Sequence, residues 1–272
     1  MTAPLSALLE LGAGSDGCAF AAAVPERLCV GQADRRFLFG GIALAACIEA
    51  MERRTALPAI FASVQFIAAA HGGDALLFET DVAAGGRSVR QCGLTARREG
   101  EIFLQGHGAC GRREGDRGYP EPCVPRVPPP GQCPERSVAR LLSSNMQALL
   151  EFRLAAGELP DRAGWTGEGG AELACWVRPR DGSPIDRRLL AVIADCAALA
   201  LPGALGRPAS GSSLDNMIRF LAEPDGDWVL AMMRVEGIGD GFAHVGTRIC
   251  SPAGVPLALA SQSMALRLWD GG

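Results

Sequence analysis

The segment Asp34-Arg35-Arg36-Phe37-Leu38 returns 152 positions later as Asp186-Arg187-Arg188-Leu189-Leu190, and an apolar helical run follows each copy. Residues 74–82 (DALLFETDV) line up in the same way with residues 227–235 (DWVLAMMRV), 153 positions on, and Gly100 lines up with Gly254, 154 positions on. Nearly constant spacing at three separate places means two copies of one unit. The fold must therefore be one that a stretch of this length can form twice.

Each copy reads as a short N-terminal strand region, one helix and four strand-like stretches. The helices are expected over 39–51 and 189–201, and the strands over 59–69, 75–84, 87–97 and 101–110 in the first copy. In the second copy they fall over 213–221, 228–236, 242–251 and 255–268. Gly85-Gly86, Glu99-Gly100 and Gly239-Asp240-Gly241 separate alternating runs as antiparallel hairpins require. Ser183-Pro184-Ile185-Asp186 has the form of a capping box with Pro184 as the first helical residue. Residues 111–135 are dense in proline and lack periodicity, which marks a surface linker. The expected division is an N-terminal domain over 1–112, a linker over 113–136 and a C-terminal domain over 137–272. A helix apolar on nearly every side, followed by antiparallel strands, calls for a sheet wrapped around the helix. The expected class is α+β, a double hot-dog.

Composition narrows the chemistry. All 26 basic residues are arginine, so a pyridoxal Schiff base and a phosphate loop ending in lysine are both excluded. A net charge of −4 argues against nucleic acid as a partner. The ten cysteines form no C-x-x-C pair and have no histidine at zinc-ligand spacing, so they read as reduced packing residues and no metal is expected. No secretory signal is visible at the N-terminus, and the one run long enough to suggest a membrane span is interrupted by Asp195. The expectation is a cytoplasmic protein with no membrane partner.

Asp195 is the residue that asks for an explanation. An ionised carboxylate inside LLAVIADCAALAL (residues 189–201) is costly, and Ala191, Val192, Ala198 and Leu199 on its own face cannot hydrogen-bond it. Its partners must come from other elements, and a buried acid aimed at groups from distant strands points to function. Asp215 is a rival acid, but turn-like residues beside a strand start surround it.

The tract FLFGGIALAACIEAM (residues 37–51) resembles the helix start of acyl-CoA thioesterases, where a Gly-Gly pair opens the buried helix. The acid in ADC (194–196), the hydroxyl residue before Leu-Asp in SSLDNMIRF (212–220) and the glutamine in ASQSMALR (260–267) are similar to those of the double hot-dog acyl-CoA thioesterase II type. That resemblance covers most of the chain apart from the linker. It implies that Asp195, Ser213 and Gln262 converge to hold one water for attack on a thioester carbonyl. Physics then gives the carboxylate the part of general base and the other two the orientation of the water. Ser213 stands where threonine is commoner, and Asn216 where relatives often have histidine.

Phe39-Gly40-Gly41 has two readings: free backbone N–H groups that stabilise an oxyanion, or close packing of helix against sheet. In GGRSVR (85–90), Arg87 and Arg90 are placed either to approach the phosphates of coenzyme A or to end a solvated strand. His71, His107 and His244 have no paired acid at useful spacing, and no G-x-S-x-G occurs. The resemblance implies an acyl-CoA thioesterase of fatty acid metabolism that needs no cofactor. A hot-dog hydratase or dehydratase and a non-catalytic acyl-CoA-binding protein are the alternatives, and whether the chain forms a homo-oligomer stays open.

Overall fold

The computed structural model describes residues 5, 8–14, 17–31, 35–83, 86, 88–115, 127–136, 146–159 and 168–268. The first half contains β1 (Gly12–Ala13), β2 (Ala19–Ala23), β3 (Cys29–Val30), β4 (Phe37–Leu38), α1 (Gly40–Thr55), β5 (Ala59–Phe66), β6 (Ala75–Val82), β7 (Val89–Arg98) and β8 (Glu101–Gly111). The second half contains β9 (Glu135–Arg136), β10 (Leu150–Ala156), β11 (Glu172–Pro179), α2 (Arg187–Ala194), a 3₁₀ run (Asp195–Ala200), α3 (Leu201–Leu205), β12 (Ala209–Ser213), β13 (Asp215–Phe220), β14 (Val229–Gly239), β15 (Phe242–Cys250) and β16 (Pro256–Leu268). The eight expected strands are all present, with ends that move by a few residues.

One antiparallel sheet runs through both halves in the order β1-β2-β6-β7-β8-β5-β13-β16-β15-β14-β11-β10-β9, with β12 also paired to β16. The two halves follow one rule. Counting β12 and β13 as one broken strand, each begins with a strand that precedes the helix (β2 or β11), continues through the second, third and fourth strands after the helix, and ends on the first (β5 or β13). Those two last strands pair with each other, Asp215 opposite Gln65 and Arg219 opposite Phe61, so the sheets meet edge to edge and neither leaves an open ladder there. This is a double hot-dog, each unit wrapping its own central helix.

The helices are buried over most of their length because their polar residues are confined to one end, the last turns of α1 and the first of α2. In α1, Ile42, Leu44, Ala45, Cys47, Ile48 and Met51 are fully buried, and Leu190, Ala191, Val192 and Ile193 are fully buried in α2. The run Arg187–Leu205 is long and apolar enough to cross a membrane by length and composition, yet it lies mostly inside the sheet. Polar residues at the helix margins clamp the two units together: Arg188 bridges Glu49 at 2.9 Å and Asp186 at 2.7 Å, and Arg187 pairs with Glu52 and Glu223.

Two local expectations need correction. The helix cap is Asp186, whose side chain accepts the Leu189 N–H at 2.9 Å, so α2 starts at Arg187 and not at Pro184. The second helix is also not continuous, since it tightens to 3₁₀ geometry at Asp195. Glu99-Gly100 and Asp240-Gly241 do form hairpin turns, both residues of each pair lying at positive φ. Within the proline-rich stretch, residues 116–126 lie outside the described residues. Residues 127–136 run along the second unit, where Pro128 O accepts the Trp176 indole N–H at 2.9 Å and β9 pairs with β10. The nine described cysteines are all free thiols, and burial pushes Cys47 and Cys175 up to about 12, which makes them unreactive packing residues.

Candidate active site

Asp195 stands at the junction of α2 and the 3₁₀ run and is 5% exposed. Its carboxylate reaches across the interface between the two units to the start of α1, where Oδ2 accepts the Gly41 N–H at 2.7 Å. Phe39, the N-cap residue of α1, offers no side-chain cap. The acid of one unit thus caps the helix of the other, and the helix dipole favours negative charge at that point. That answers what holds the carboxylate in an apolar helix.

The other partners come from the β12–β13 edge and from β16. Asn216 donates from Nδ2 to Asp195 Oδ1 at 2.9 Å, and Gln262 donates from Nε2 to the same oxygen at 3.2 Å. Gln262 Nε2 also donates to Ser213 Oγ at 3.1 Å. A β-bulge makes this convergence possible. Ser213 lies opposite Met264 and Met217 opposite Ser261, so β12–β13 contains one residue more than β16 across this interval. The extra residue turns both Ser213 and Asn216 toward the interior, a common use of bulges next to active sites. Asp215 stabilises the bulge, its Oδ1 accepting the Ser263 N–H at 2.6 Å in place of a ladder bond. The rival acid therefore has a structural task.

Burial pushes the Asp195 carboxyl up to about 7, against the hydrogen bonds from the Gly41 N–H, Asn216 and the Ser213 hydroxyl, which pull it down. A carboxyl titrating near neutrality is suited to general-base work.

The structure brings Asp195, Ser213, Gln262, Gly40 and Gly41 together, with Phe39 buried beside them. Of the two readings for the glycine pair, Gly41 belongs to close packing. A Cβ there would lie 2.8 Å from both Val192 Cα and Asp195 Cβ, and its N–H is already engaged by the carboxylate. Gly40 keeps an N–H with no partner among the described residues. Arg87 lies outside the described residues. Arg90 is exposed on β7 opposite Cys110, whose thiol meets Thr55 at the far end of α1, so the structure does not bring it to the carboxylate. His71 meets Arg36 O, His244 meets Ser263 Oγ, and His107 packs edge-on to Phe61; none of the three touches Asp195. Asn216 was absent from the expected cluster. The signal for it was its position two residues before the inward-facing Ile218 in an alternating strand.

A hollow of about 980 Å³ beside the β12–β13 edge is lined in part by Phe66, Ile67, Leu214, Ile238 and Phe242; Leu214 follows Ser213 in sequence, but the site residues themselves are not in its wall. Phe66 also packs on the start of α1, its Cζ 2.9 Å from where a Gly40 Cβ would be. A second hollow of about 670 Å³, lined by Glu79, Asp81, Thr95 and His107 among others, likewise contains none of the site residues and lies on the first unit's sheet.

The comparisons agree with this architecture. Residues 31–110 match the acyl-CoA thioesterase N-terminal domain, and residues 123–266 match the acyl-CoA thioesterase C-terminal domain. The chain belongs to the acyl-CoA thioesterase family, double hot-dog type. It is similar to a protein of Novosphingobium aromaticivorans assigned as a thioesterase, with 28% identity and a TM-score of 0.83 over 97% of this chain and 99% of that one. A hot-dog protein of Alicyclobacillus acidocaldarius, itself of unknown function, gives 22% identity and a TM-score of 0.79 over 95% and 97% of the two chains. The acyl-CoA thioesterase II TesB2 of Mycobacterium marinum gives 18% identity and a TM-score of 0.72 over 96% and 97%. No curated protein matches the chain.

Proposed function

We propose that the chain hydrolyses an acyl-CoA thioester to free acid and coenzyme A by direct attack of water, with Asp195 as general base. The observation that carries this reading is the buried Asp195 carboxyl, raised to about 7 and fixed by donors from α1, β13 and β16. Asp195 takes a proton as the water oxygen bonds to the carbonyl carbon. The C–S bond then breaks and the leaving thiolate recovers that proton. Sulfur donates poorly into the carbonyl, so a positioned water and a base are enough without a covalent intermediate. The Gly40 N–H at the α1 start is the donor available to the developing oxyanion. Gln262 and Asn216 hold the base in place, and Ser213 holds Gln262.

The test is thiol release from a panel of acyl-CoAs of different chain length, followed with a thiol reagent. Saturable release with at least one substrate supports the reading. Hydration of an enoyl-CoA without thiol release, or tight binding without turnover, refutes it in favour of a hydratase or a binding protein. The ionised carboxylate is the active form, so turnover should rise with pH through about 7 and level off above it. A profile flat from pH 5 to 9 would remove Asp195 from the role of base.

A further inference from the structure

Large apolar side chains open to solvent are ordinary singly and informative together. Four of them meet in the hollow beside the β12–β13 edge: Ile67 is 55% exposed, Phe242 43%, and Leu214 and Ile238 42% each. At about 980 Å³ the hollow is of the size that takes a whole small-molecule ligand. Its wall contains two aspartates, Asp215 and Asp240, and no arginine among the described residues. Such a wall repels a polyphosphate and leaves an uncharged chain unopposed. Leu214 and Ser263 in it directly follow Ser213 and Gln262, so the hollow runs along the same strands as the site.

Phe66 belongs both to this hollow and to the surroundings of the carboxylate. It is the last residue of β5, and its ring packs on the start of α1, with Cζ 2.9 Å and Cε1 3.3 Å from the place of a Gly40 Cβ. Asp195 Oδ2 lies 3.0 Å from that same place. The ring therefore fills the space beside the two groups that hydrolysis needs, the carboxylate and the Gly40 N–H. A thioester carbonyl reaches Gly40 only when the ring has left it. The backbone of Phe66 is fixed, its N–H donating to Leu214 O at 2.9 Å, but the side chain is half-buried at a strand end. Rotation of that side chain breaks no hydrogen bond, and the exposed Ile67 and Leu214 beside it are apolar surface on which the ring can rest.

We propose that this hollow receives the acyl chain of the thioester and that Phe66 is the gate between it and Asp195, the residue that sets acyl-chain specificity. The proposal rests on the thioesterase reading above and adds the substrate class: an uncharged, unbranched acyl group of medium to long chain. When the ring turns off Gly40, the thioester carbonyl takes its place and the chain lies over Leu214, Ile238 and Phe242. A short acyl group gains nothing from that surface, whereas each methylene laid on it leaves water.

A crystal structure with S-(2-oxotridecyl)-coenzyme A, a thioether ketone that cannot be hydrolysed, tests the placement directly. Expected are the alkyl chain on Leu214, Ile238 and Phe242 and the Phe66 ring displaced from Gly40. A chain that runs elsewhere, or a ring that stays on Gly40, overturns the proposal. In solution, wild-type kcat/KM should rise about twofold to threefold for each methylene between butyryl- and decanoyl-CoA, a little less than full burial of a methylene gives. A flat series overturns it. Ile238→Asp, at an exposed position outside the core, places a charge against the chain and should cut the decanoyl-to-butyryl ratio of kcat/KM by about tenfold; an unchanged ratio counts against the hollow. Phe66→Ala removes the gate, so kcat/KM for phenylacetyl-CoA should rise relative to decanoyl-CoA by about tenfold, the low end of what a pocket wall adds to discrimination. An equal change for both substrates would make Phe66 a packing residue of α1 and no gate. Phe66→Leu, with the same expected direction, replaces it if the alanine variant does not fold. Wild-type protein that releases no thiol from any acyl-CoA defeats the hydrolytic reading itself, while the bound analogue still decides where the chain lies.

Discussion

Asp195→Asn should lower thioester hydrolysis by about 10²–10⁴-fold, the usual contribution of a positioned acid–base group, while the variant melts above the wild type at pH 8. The gain expected is about 2–4 °C, the shift that about 1 kcal/mol gives a chain of this size. The folded carboxyl is raised to about 7 from an ordinary value of 3.8, so between those two values the unfolded chain sheds a proton that the folded chain keeps. Wild-type stability therefore falls as pH rises through this window, and the asparagine variant escapes the loss. Near pH 4 the two proteins should melt together. Parallel measurement of thiol release and thermal unfolding at pH 4, 6 and 8 checks both halves. An active variant, or one inactive only because it unfolds, would refute the base assignment.

Gly41→Ala should damage the fold as well as the site. The added Cβ would lie 2.8 Å from Val192 Cα, a backbone atom that cannot turn aside, and as close to Asp195 Cβ. The two central helices would have to separate, which costs about 1–3 kcal/mol for an overpacked core and lowers Tm by about 3–10 °C. Separation also lengthens the 2.7 Å bond that fixes the base, so turnover in the folded fraction should drop by about 10²-fold. Gly40→Ala, one residue earlier, would meet the end of the Phe66 ring at 2.9 Å and Asp195 Oδ2 at 3.0 Å but no backbone atom, so it should lower the melting temperature less than Gly41→Ala. Equal melting of the two variants would mean that the helices do not approach as closely as described.

Much of this was legible because it is local or periodic. Alternation located the strands, the long apolar runs located both helices, and the DRR repeat joined them into two units. The acid was legible through its cost. The details of its surroundings were not, for a physical reason. The Gly41–Asp195 bond joins residues 154 apart in sequence, and no local pattern encodes such a pair. Asn216 depends on a bulge in the β12–β13 edge, and a bulge reverses the inward and outward parity from which strand faces are read. The cap was misplaced by three residues because Ser183 and Asp186 both suit it, and only the geometry of the turn chooses Asp186.

The pairing of β5 with β13 has an evolutionary consequence. Two identical subunits meeting at such a seam would be bound to carry the same residues on both sides of it, and so to hold two equivalent centres. A duplicated unit inside one chain has no such obligation. The position in α1 that corresponds to Asp195 is Ala43, and the positions in α2 that correspond to Gly40 and Gly41 are Val192 and Ile193. The acid is present in one copy only and the glycine pair in the other only. Each unit supplies half of a single centre, and neither separated from its twin would carry both halves.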